Sequence, residues 1–433
     1  ALQAPLRSAD VYLKQAEALA NAAGGGATRH VGQVGVIGAG TMGGGIAMSF
    51  ANAGFPVLLV DTDSAALARG LDRIWDNYQI SASKGKLSAD DMNTRFARIR
   101  GMVGFESLGA VDLVVEAVFE DMAVKQAVFR QLDAVCRPDA ILSTNTSRLD
   151  INLLAEAVSH PERVVGLHFF SPANVMRLIE VVRSDSTAAD VIATAMAISH
   201  KMRKSPVLVG VCDGFVGNRM LTPYLREVGF LLEEGASPTQ VDRALRDFGM
   251  AMGPLTVSDM AGLDIPWAAR KRNAAQRDPA VRYSRIADRL CEAGRFGLKT
   301  GAGYYRYESG SRTPLPDPEV DALIEACAHE SGITRAPVSD ALVIERTMFA
   351  LINEAARIVA EGIVERASDV DVVYVRGYGF PAALGGPLRY ADSLGLDHVL
   401  ERIRAFEAAH GSTWTPAPLL AQLARDGGRF TEP

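Results

Sequence analysis

The sequence predicts an α/β domain followed by two repeated all-α helical domains, and three observations support this fold class. A short apolar run ends in the glycine-rich turn GAGTMGGGIA, which begins at Gly38 and leads into a stretch of small residues. Further short apolar runs recur up to about residue 210, as is typical of buried parallel strands. The second half contains two similar stretches with helical apolar spacing, which predicts a duplicated helical module.

The composition excludes several classes of protein. With 433 residues the chain is too long for one compact core, so we expect two or three domains. The net charge of −6 argues against a protein that binds nucleic acid. No apolar run approaches about 18 residues, so no membrane helix is expected. The four cysteines are far apart and form no CxxC pair, which predicts reduced thiols rather than disulfides or a metal site.

The glycine-rich turn predicts a dinucleotide-binding site. Its residues fit the pattern G-x-G-x-x-G, with Thr41 and Met42 inside the pattern. Glycine allows a tight turn and a close approach of the backbone to a pyrophosphate, toward which the following helix directs partial positive charge. The residues assigned to this site are Gly38, Gly40, Thr41, Met42 and Gly43.

An acidic residue after the second strand supports the same interpretation. Asp61 ends the apolar run PVLLVD, 23 residues after Gly38, close to the spacing of about 20 residues expected for the acid that binds the ribose hydroxyls. Its charge would repel a 2′-phosphate, which favours NAD over NADP. An isolated G-x-G-x-x-G is often a plain tight turn, but the order strand, turn, helix, strand, acid predicts an NAD-binding Rossmann-type domain over residues 31–210.

Polar residues follow a later buried strand. The runs VDLVVEAV (111–118) and AILSTNTS (140–147) predict further parallel strands. Because ligands bind beyond the carboxyl ends of such strands, Asn145 and Ser147 are placed where nicotinamide and substrate would meet. Ser and Asn are also common turn formers, so spacing alone leaves both interpretations open.

A histidine and a glutamate occupy two apolar runs that read as strand, turn, strand. His168 lies in VGLHFF, and Glu180 lies twelve residues later in RLIEV. If the chain turns back between them, the carboxylate raises the basicity of the ring and fixes its tautomer, as a general base requires. A single buried histidine is more often a satisfied core residue, but an acid–base pair that follows a dinucleotide motif favours catalysis.

Several segments together resemble one known family. The chain resembles the (S)-3-hydroxyacyl-CoA dehydrogenases of fatty-acid β-oxidation. Within that family, HFFSP and VVYVRGYGFPAALGGP are most similar to the peroxisomal-type bifunctional enzymes, in which an enoyl-CoA hydratase half comes first. The matching segments are VIGAGTMGGGIA, VVEAVFEDMAVK, STNTS, GLHFFSPANVMRLIEV, DGFVGNRM and FGLKTGAGYY.

The resemblance implies a role for each matching residue. It makes His168 the general base and Glu180 its orienting partner, and it places Ser147 and Asn218 on the 3-oxygen of the substrate. Asp61 would hold the adenosine ribose. The residues that would line the NAD site are Glu120, Lys125 and Asn145, with Lys299 also within reach of the cofactor. Lys84 would meet the CoA phosphates, with Lys86 as a rival.

The second half contains an internal repeat. Arg219 and Glu227 recur 127 positions later as Arg346 and Glu354, and GPLTVSDMAGLD is matched by GPLRYADSLGLD. We therefore expect one helical domain over 211–310 and a second over 335–433. Asn218 is replaced by Glu345 in the second copy, so only the first copy is expected to serve the catalytic site.

The resemblance and the repeat also predict partners. The helical domain mediates dimers in single-function members, so the second copy is expected to pack on the first and to give a monomer; a dimer is the alternative. Residues 1–30 predict a linker helix, from Ser8 to Ala23, and a Gly-rich joint. We therefore expect a missing N-terminal hydratase half. The chain ends without Ser-Lys-Leu, so a bacterial-type cytoplasm is expected rather than a peroxisome.

The predicted function is NAD-dependent oxidation of (S)-3-hydroxyacyl-CoA to 3-oxoacyl-CoA. A different hydroxyacid dehydrogenase is one alternative, although such an enzyme would have a lysine where GFVGNR has Asn218. A non-catalytic NAD-binding relative is another, and a scaffold for a hydratase partner is a third. The retention of Ser147, His168, Glu180 and Asn218 argues against the non-catalytic alternative.

Overall fold

The structure is a computed structural model that describes residues 8–431. Within this range the chain forms two compact units. The α/β unit comprises residues 8–218 and 358–378, and the helical unit comprises 219–357 and 379–431. The outer ends of the predicted segments 1–30 and 335–433 lie outside the described residues. The two units are defined by contacts between residues, and their bounds do not coincide with the two copies of the repeat. The domain bounds expected from the sequence therefore stay predictions.

A single mixed sheet forms the centre of the α/β unit. Its strands are β1 (Val34–Ile37), β2 (Val57–Asp61), β3 (Ile99–Val103), β4 (Leu113–Glu116), β5 (Ile141–Thr144), β6 (Val164–Phe169), β7 (Leu178–Arg183) and β8 (Ser205–Gly210). Their order is β3-β2-β1-β4-β5-β6-β7-β8, and only β6 and β7 pair antiparallel. All residues of β1, β4 and β5 are buried, as central parallel strands covered on both faces require. The predicted α/β fold class is confirmed.

Helices cover the sheet and make up the second unit. In chain order they are α1 (Ala9–Ala22), α2 (Thr41–Asn52), α3 (Ser64–Ser83), α4 (Ala89–Ala97), α5 (Met122–Val135), α6 (Ile151–Ala155), α7 (Ala189–Lys201), α8 (Gly217–Glu234), α9 (Pro238–Phe248), α10 (Pro254–Ala261), α11 (Asp264–Arg272), α12 (Ile286–Glu292), α13 (Pro318–Glu330), α14 (Asp340–Ala360), α15 (Ala367–Gly377), α16 (Pro387–Leu394), α17 (Leu396–His410) and α18 (Pro418–Asp426). No described helix is long and apolar enough to cross a membrane. Residues 8–431 also contain no group of three or more His, Cys, Asp or Glu side chains placed to hold a metal ion.

The edge strand β8 is covered by two helices that are far apart in the sequence. Helix α1 begins after Ser8, as predicted, and packs against both β8 and α15. The Tyr12 hydroxyl on α1 donates to Asp371 on α15 at 2.6 Å. Helix α15 also packs against β7 and β8. A helix from the second repeat therefore belongs to the α/β unit, which the sequence did not indicate.

The repeat appears in the helical unit as reciprocal ion pairs between α8 and α14. Arg219 Nε lies 2.7 Å from Glu354 Oε1, and Arg346 Nη2 lies 2.6 Å from Glu227 Oε2. Because the second-copy residues follow the first by 127 positions, the two pairs are equivalent under the repeat. Contacts of this kind, in which i meets j′ and j meets i′, are those of a two-fold related interface. The two copies of the predicted module therefore contact each other within one chain.

The repeat also preserves one buried carboxylate in each copy. Asp259 accepts hydrogen bonds from the backbone N–H groups of Tyr304 and Tyr305 at 2.8 and 3.0 Å. Asp392 accepts from the N–H groups of Phe430 and Thr431, both at 2.9 Å. In each copy a carboxylate near the end of a short helix thus fixes a distant segment of chain.

Candidate active site

The glycine-rich turn joins β1 to α2 and has the shape that the motif predicts. Gly38 has a φ of +94°, and a Cβ on it would lie 2.8 Å from the carbonyl oxygen of Ala117. A Cβ on Gly43 would lie 1.8 Å from the carbonyl oxygen of Gly38, so only glycine fits there. A Cβ on Gly40 would meet no atom within 4 Å, so the turn is packed on its inner side and open at Gly40.

The start of α2 supplies donors to this open side. Thr41 and Met42 form its first turn, and the first intrahelical bond runs from the N–H of Gly44 to the carbonyl of Gly40. The N–H groups before Gly44 have no carbonyl within the helix to accept them, and the helix end carries partial positive charge. This arrangement fits the pyrophosphate of a dinucleotide.

Asp61 lies at the carboxyl end of β2, beside the same turn. Its Oδ2 accepts the N–H of Ala39 at 2.9 Å, and its Oδ1 accepts the N–H of Asp63 at 3.2 Å. These bonds fix the carboxylate where a ribose would reach it, next to the glycines. The residues of the turn and Asp61 therefore fit NAD.

A buried charge cluster lies beyond β4 and β5. Lys125 is 1% exposed, and its Nζ lies 2.8 Å from Glu116 Oε1, 3.3 Å from the carbonyl of Val118 and 3.5 Å from Glu120 Oε2. Glu116 also accepts the hydroxyl of Thr144 at 2.7 Å. Protein oxygens thus surround the ammonium of Lys125, which was predicted to line the NAD site. Lys125 therefore holds Glu120 in place, and its role in lining the NAD site stays a prediction.

Glu120 in turn fixes the segment that carries Ser147. Its Oε1 accepts from the Thr146 hydroxyl at 2.7 Å, the Ser147 N–H at 2.9 Å and the Ser147 hydroxyl at 3.2 Å. Burial opposes its ionisation, but Lys125 and these donors outweigh burial and lower the pKa of Glu120. The bond from the serine hydroxyl is the longest of the three, so this hydroxyl can turn to a ligand while the loop stays in place.

Asn145 connects β5 to β6. Its Oδ1 accepts the N–H of Phe169 at 2.9 Å, directly after His168. Thr144 pairs with Gly166 in the parallel register, so Ser147 and His168 leave the same edge of the sheet. The predicted group of Asn145, Ser147 and His168 is therefore gathered at one edge.

His168 and Glu180 are direct cross-strand partners in the β6–β7 pair. His168 Nδ1 lies 2.7 Å from Glu180 Oε2; the histidine is 4% exposed and the glutamate is fully buried. A carboxylate only accepts, so Nδ1 carries the proton and Nε2 carries the lone pair. The rings of Phe170 and Phe215 lie 4.3 and 5.7 Å from the imidazole. The ring is thus held in one tautomer in a largely apolar pocket.

The second oxygen of Glu180 binds the start of α8. Oε1 accepts the N–H groups of Val216 and Gly217 at 3.1 and 2.9 Å. Asn218 follows in the first turn of that helix, and its Nδ2 lies 3.4 Å from the carbonyl oxygen of Ser147. One carboxylate therefore orients His168 and fixes the helix start that carries Asn218.

The three lysines assigned to CoA or NAD lie outside the group gathered around His168. Lys84 is the C-cap residue of α3, and both Lys84 and Lys86 are exposed. Lys299 lies in the helical unit, where its Nζ is 2.5 Å from Asp264. Their roles toward CoA and NAD stay predictions.

Two residues of the site were missed by sequence reasoning. Glu116 ends the apolar run LVVE, and a charge at the end of a buried strand, with Lys125 in the next helix, was a usable signal. Tyr378 donates its hydroxyl to Asn218 Oδ1 at 2.9 Å from 160 positions away. No local pattern pointed to Tyr378.

Comparison with known protein families agrees with this geometry. The model for the NAD-binding domain of 3-hydroxyacyl-CoA dehydrogenase matches residues 33–212, and the model for its C-terminal domain matches 214–307 and 342–431. The chain belongs to the 3-hydroxyacyl-CoA dehydrogenase family. The resemblance noted from the sequence is confirmed, as is the prediction of an NAD-binding domain. The two C-terminal matches correspond to the two copies of the repeat.

Relatives in this family include multifunctional proteins. The peroxisomal bifunctional enzyme of Danio rerio is 43% identical over 413 residues, which are 92% of this chain. The chain spans only 57% of that relative's length. The dehydrogenase part of multifunctional enzyme 1 from C. elegans is 30% identical, with a TM-score of 0.70 and coverage of 96% of this chain and 97% of its own. The 3-hydroxybutyryl-CoA dehydrogenase of Escherichia coli is 30% identical, with a TM-score of 0.79 and coverage of 92% and 99%.

Proposed function

We propose that this chain oxidises (S)-3-hydroxyacyl-CoA thioesters to 3-oxoacyl-CoA, and catalyses the reverse reaction, with NAD as cofactor. The observation that carries the proposal is the buried His168–Glu180 pair, 2.7 Å apart, at the carboxyl edge of the sheet that also carries the glycine-rich turn. When bound there, NAD⁺ accepts the hydride that leaves C3 of the substrate. The protein then has to remove one proton and stabilise one oxygen.

His168 is the proposed proton acceptor. Its Nε2 takes the proton of the 3-hydroxyl as the carbon–oxygen double bond forms, and returns it in the reverse reaction. Glu180 holds Nδ1–H and stabilises the imidazolium, and the N–H groups of Val216 and Gly217 keep the carboxylate from turning. The apolar rings of Phe170 and Phe215 keep water from competing for the proton.

Ser147 and Asn218 are the proposed donors to the 3-oxygen. The amide nitrogen of Asn218 lies 3.4 Å from the backbone carbonyl oxygen of Ser147, so the two proposed donors belong to neighbouring residues in space. Donors fixed in advance stabilise developing charge on oxygen without reorganisation. Glu120 contributes by holding the Ser147 backbone, not by touching the oxygen.

The test is turnover of acetoacetyl-CoA with NADH, followed by absorbance. The wild type should oxidise NADH, and His168→Gln should lower kcat by roughly 10² to 10⁴-fold. His160→Gln is the matched control, because His160 also contacts a glutamate, Glu162 at 3.2 Å, but at an exposed position. No turnover by the wild type, or equal losses in both variants, would refute the proposal.

We also propose that the chain is a monomer. The reciprocal pairs Arg219–Glu354 and Arg346–Glu227 support this, because they give the repeat the internal two-fold contact that a dimer would otherwise provide. Light scattering should then give a mass of 46.2 kDa at all concentrations. A mass of twice that value would contradict the proposal.

We propose in addition that the full polypeptide carries an enoyl-CoA hydratase half that supplies the 3-hydroxyacyl-CoA. The support is the resemblance at HFFSP and VVYVRGYGFPAALGGP and the name of the bifunctional Danio rerio relative. An antibody against this chain should detect one polypeptide of larger mass in its native source, and hydratase activity should co-purify with it. A band at 46.2 kDa alone would contradict this.

A reducing compartment is the location we propose. The support is that Cys136, Cys291 and Cys327 are buried free thiols. Titration of the purified protein in denaturant with a thiol reagent should find all four. Recovery of two or fewer from cells lysed under alkylation would argue for an oxidising compartment.

A further inference from the structure

Tyr378 comes from the second repeat, yet it contacts the residues assigned to the active site. It is the C-cap residue of α15, and its hydroxyl lies 2.9 Å from Asn218 Oδ1. Its ring stacks on Tyr374, with ring centroids 4.8 Å apart, and forms a T-shaped pair with Phe170, with centroids 5.6 Å apart. Phe170 in turn packs on His168 at 4.3 Å. All of these contacts lie within the α/β unit.

The surrounding chain makes room for this tyrosine. A Cβ on Gly217 would lie 2.3 Å from the Tyr378 ring, so the first residue of α8 has to be glycine for the ring to fit. The Tyr374 hydroxyl also donates to the carbonyl of Gly217 at 3.2 Å. Tyr374 on α15 and the C-cap residue Tyr378 therefore both contact the start of α8, directly beside Asn218.

The hydrogen bond decides which way the Asn218 amide points. On one side the amide faces the carbonyl oxygen of Ser147, which can only accept, so the amide nitrogen has to lie on that side. The amide oxygen then faces Tyr378, whose hydroxyl donates to it. Exclusion of water around the phenol, together with the charge of Glu180, raises the pKa of Tyr378 well above its usual value. The tyrosine therefore stays a donor at any physiological pH.

We infer that Tyr378 is a positioning residue for the dehydrogenase reaction: its hydroxyl holds the Asn218 amide with the N–H side toward Ser147 and the 3-oxygen of the substrate. This inference rests on the proposed function. It gives the second repeat a part in the chemistry, whereas the sequence suggested that only the first copy serves the site. Tyr378 acts through Asn218 and does not itself touch the substrate.

The first experiment compares Tyr378→Phe with the wild type in the acetoacetyl-CoA assay. The variant keeps the ring contacts and loses only the hydroxyl. Loss of one neutral hydrogen bond should lower kcat roughly 2- to 10-fold. KM for NADH should stay within about twofold, because the glycine-rich turn is untouched. An unchanged kcat would overturn the inference.

A double-mutant cycle separates positioning from a general structural effect. In an Asn218→Ala background, adding Tyr378→Phe should change kcat by less than about twofold, because the group that it orients is gone. If the full loss persists in that background, Tyr378 acts by another route and the inference is wrong.

Tyr12→Phe is the matched control for stability. It removes a hydroxyl that binds the same helix, α15, at Asp371, away from the assigned active-site residues. It should lower the Tm and leave kcat within about twofold of the wild type. A loss of kcat equal to that of Tyr378→Phe would show a general disturbance of α15 and overturn the inference. No turnover by the wild type would refute the proposed function itself, whereas wild-type turnover with an unchanged Tyr378→Phe would refute this inference alone.

Discussion

The two copies of the helical repeat keep equivalent buried carboxylates and ion pairs, and they differ at the residues beside the candidate active site. Asp259 and Asp392 fix distant chain segments in the same way, and the ion pairs between α8 and α14 are reciprocal. Position 218 is asparagine in the first copy, but its counterpart, Glu345, forms a bidentate pair with Arg402 at 2.6 and 2.8 Å. Duplication thus preserved what packs the module, while residues near the site changed.

The helix ends show the same division more sharply. The C-cap residue of α9 is Gly249, which has a left-handed φ of +114°, and the C-cap residue of α15 is Tyr378, with a φ of −116°. Glycine is the usual residue for the left-handed C-cap, since it has no Cβ to clash. In the second copy the left-handed glycine is Gly379, with a φ of +70°, one residue after Tyr378, and the Tyr378 side chain reaches Asn218. Both copies therefore have a left-handed glycine at this helix end, and the second copy also contacts the candidate active site through Tyr378.

The prediction with the largest expected effect compares how much each of the two reciprocal ion pairs contributes to the free energy of unfolding. Arg346 is 1% exposed and Glu227 is fully buried, whereas Arg219 and Glu354 are 17% and 15% exposed. Arg346→Met should lower the free energy of unfolding by about 3 kcal/mol, because it strips a partner from a buried carboxylate. Arg219→Met should cost about 1 kcal/mol. Urea denaturation measures both, and equal losses would show that burial does not separate the pairs.

A second test compares alanine substitutions at the equivalent positions 218 and 345. Asn218→Ala removes a proposed donor to the substrate oxygen and should lower kcat by roughly 10² to 10³-fold. Glu345→Ala breaks a partly exposed ion pair and should cost less than about 1 kcal/mol of stability, with kcat unchanged. The acetoacetyl-CoA assay and thermal unfolding provide the two measurements. A large loss of kcat in Glu345→Ala would mean that the second copy serves the reaction through this position too.

The smallest effect concerns the pH dependence of the two conserved carboxylates. Burial raises the pKa of Asp259 to about 6, and it also raises the pKa of Asp392. At Asp259 the folded state then binds a proton that the unfolded state has released between about pH 4 and 6, so stability falls as the pH rises through that window, and the raised pKa of Asp392 acts in the same direction. The slope is at most about 1.4 kcal/mol per pH unit for each group.

Asn variants test this contribution. Asp259→Asn should flatten the dependence of urea stability on pH between about 4 and 6, and Asp392→Asn should flatten it above about pH 4, although both lower stability overall by removing an acceptor oxygen. A slope unchanged from the wild type in either variant would show that the carboxylate of that copy is not the titrating group.

Local sequence patterns predicted the elements whose signal lies within a few residues. The turn at Gly38 has its required glycines side by side, and buried parallel strands read as apolar runs. His168 and Glu180 could be paired because a short hairpin brings nearby positions together. Tyr378 could not be placed, because its partner Asn218 is 160 positions away and the contact depends on how α15 packs.

For charged side chains, too, the sequence predicted some roles and did not reveal the contacts that depend on packing. Lys125 was recognised from a motif, but its burial against Glu116 emerged only from the packing of α5 on the sheet. Lys84, Lys86 and Lys299 look alike in the sequence, since each is a lysine in a turn or at a helix end. The sequence around a long, flexible surface side chain has no periodic pattern that would identify its ligand.

The double use of Glu180 couples two functions that could otherwise evolve separately. An amide at this position has one oxygen and one nitrogen, so Glu180→Gln directs N–H either toward the α8 start or toward His168. If the nitrogen faces the α8 start, it opposes Val216 and Gly217; if it faces His168, the ring shifts its proton to Nε2 and can no longer take one from an alcohol. Glu180→Gln therefore either disables the base or loses the hydrogen bonds that hold the helix start carrying Asn218.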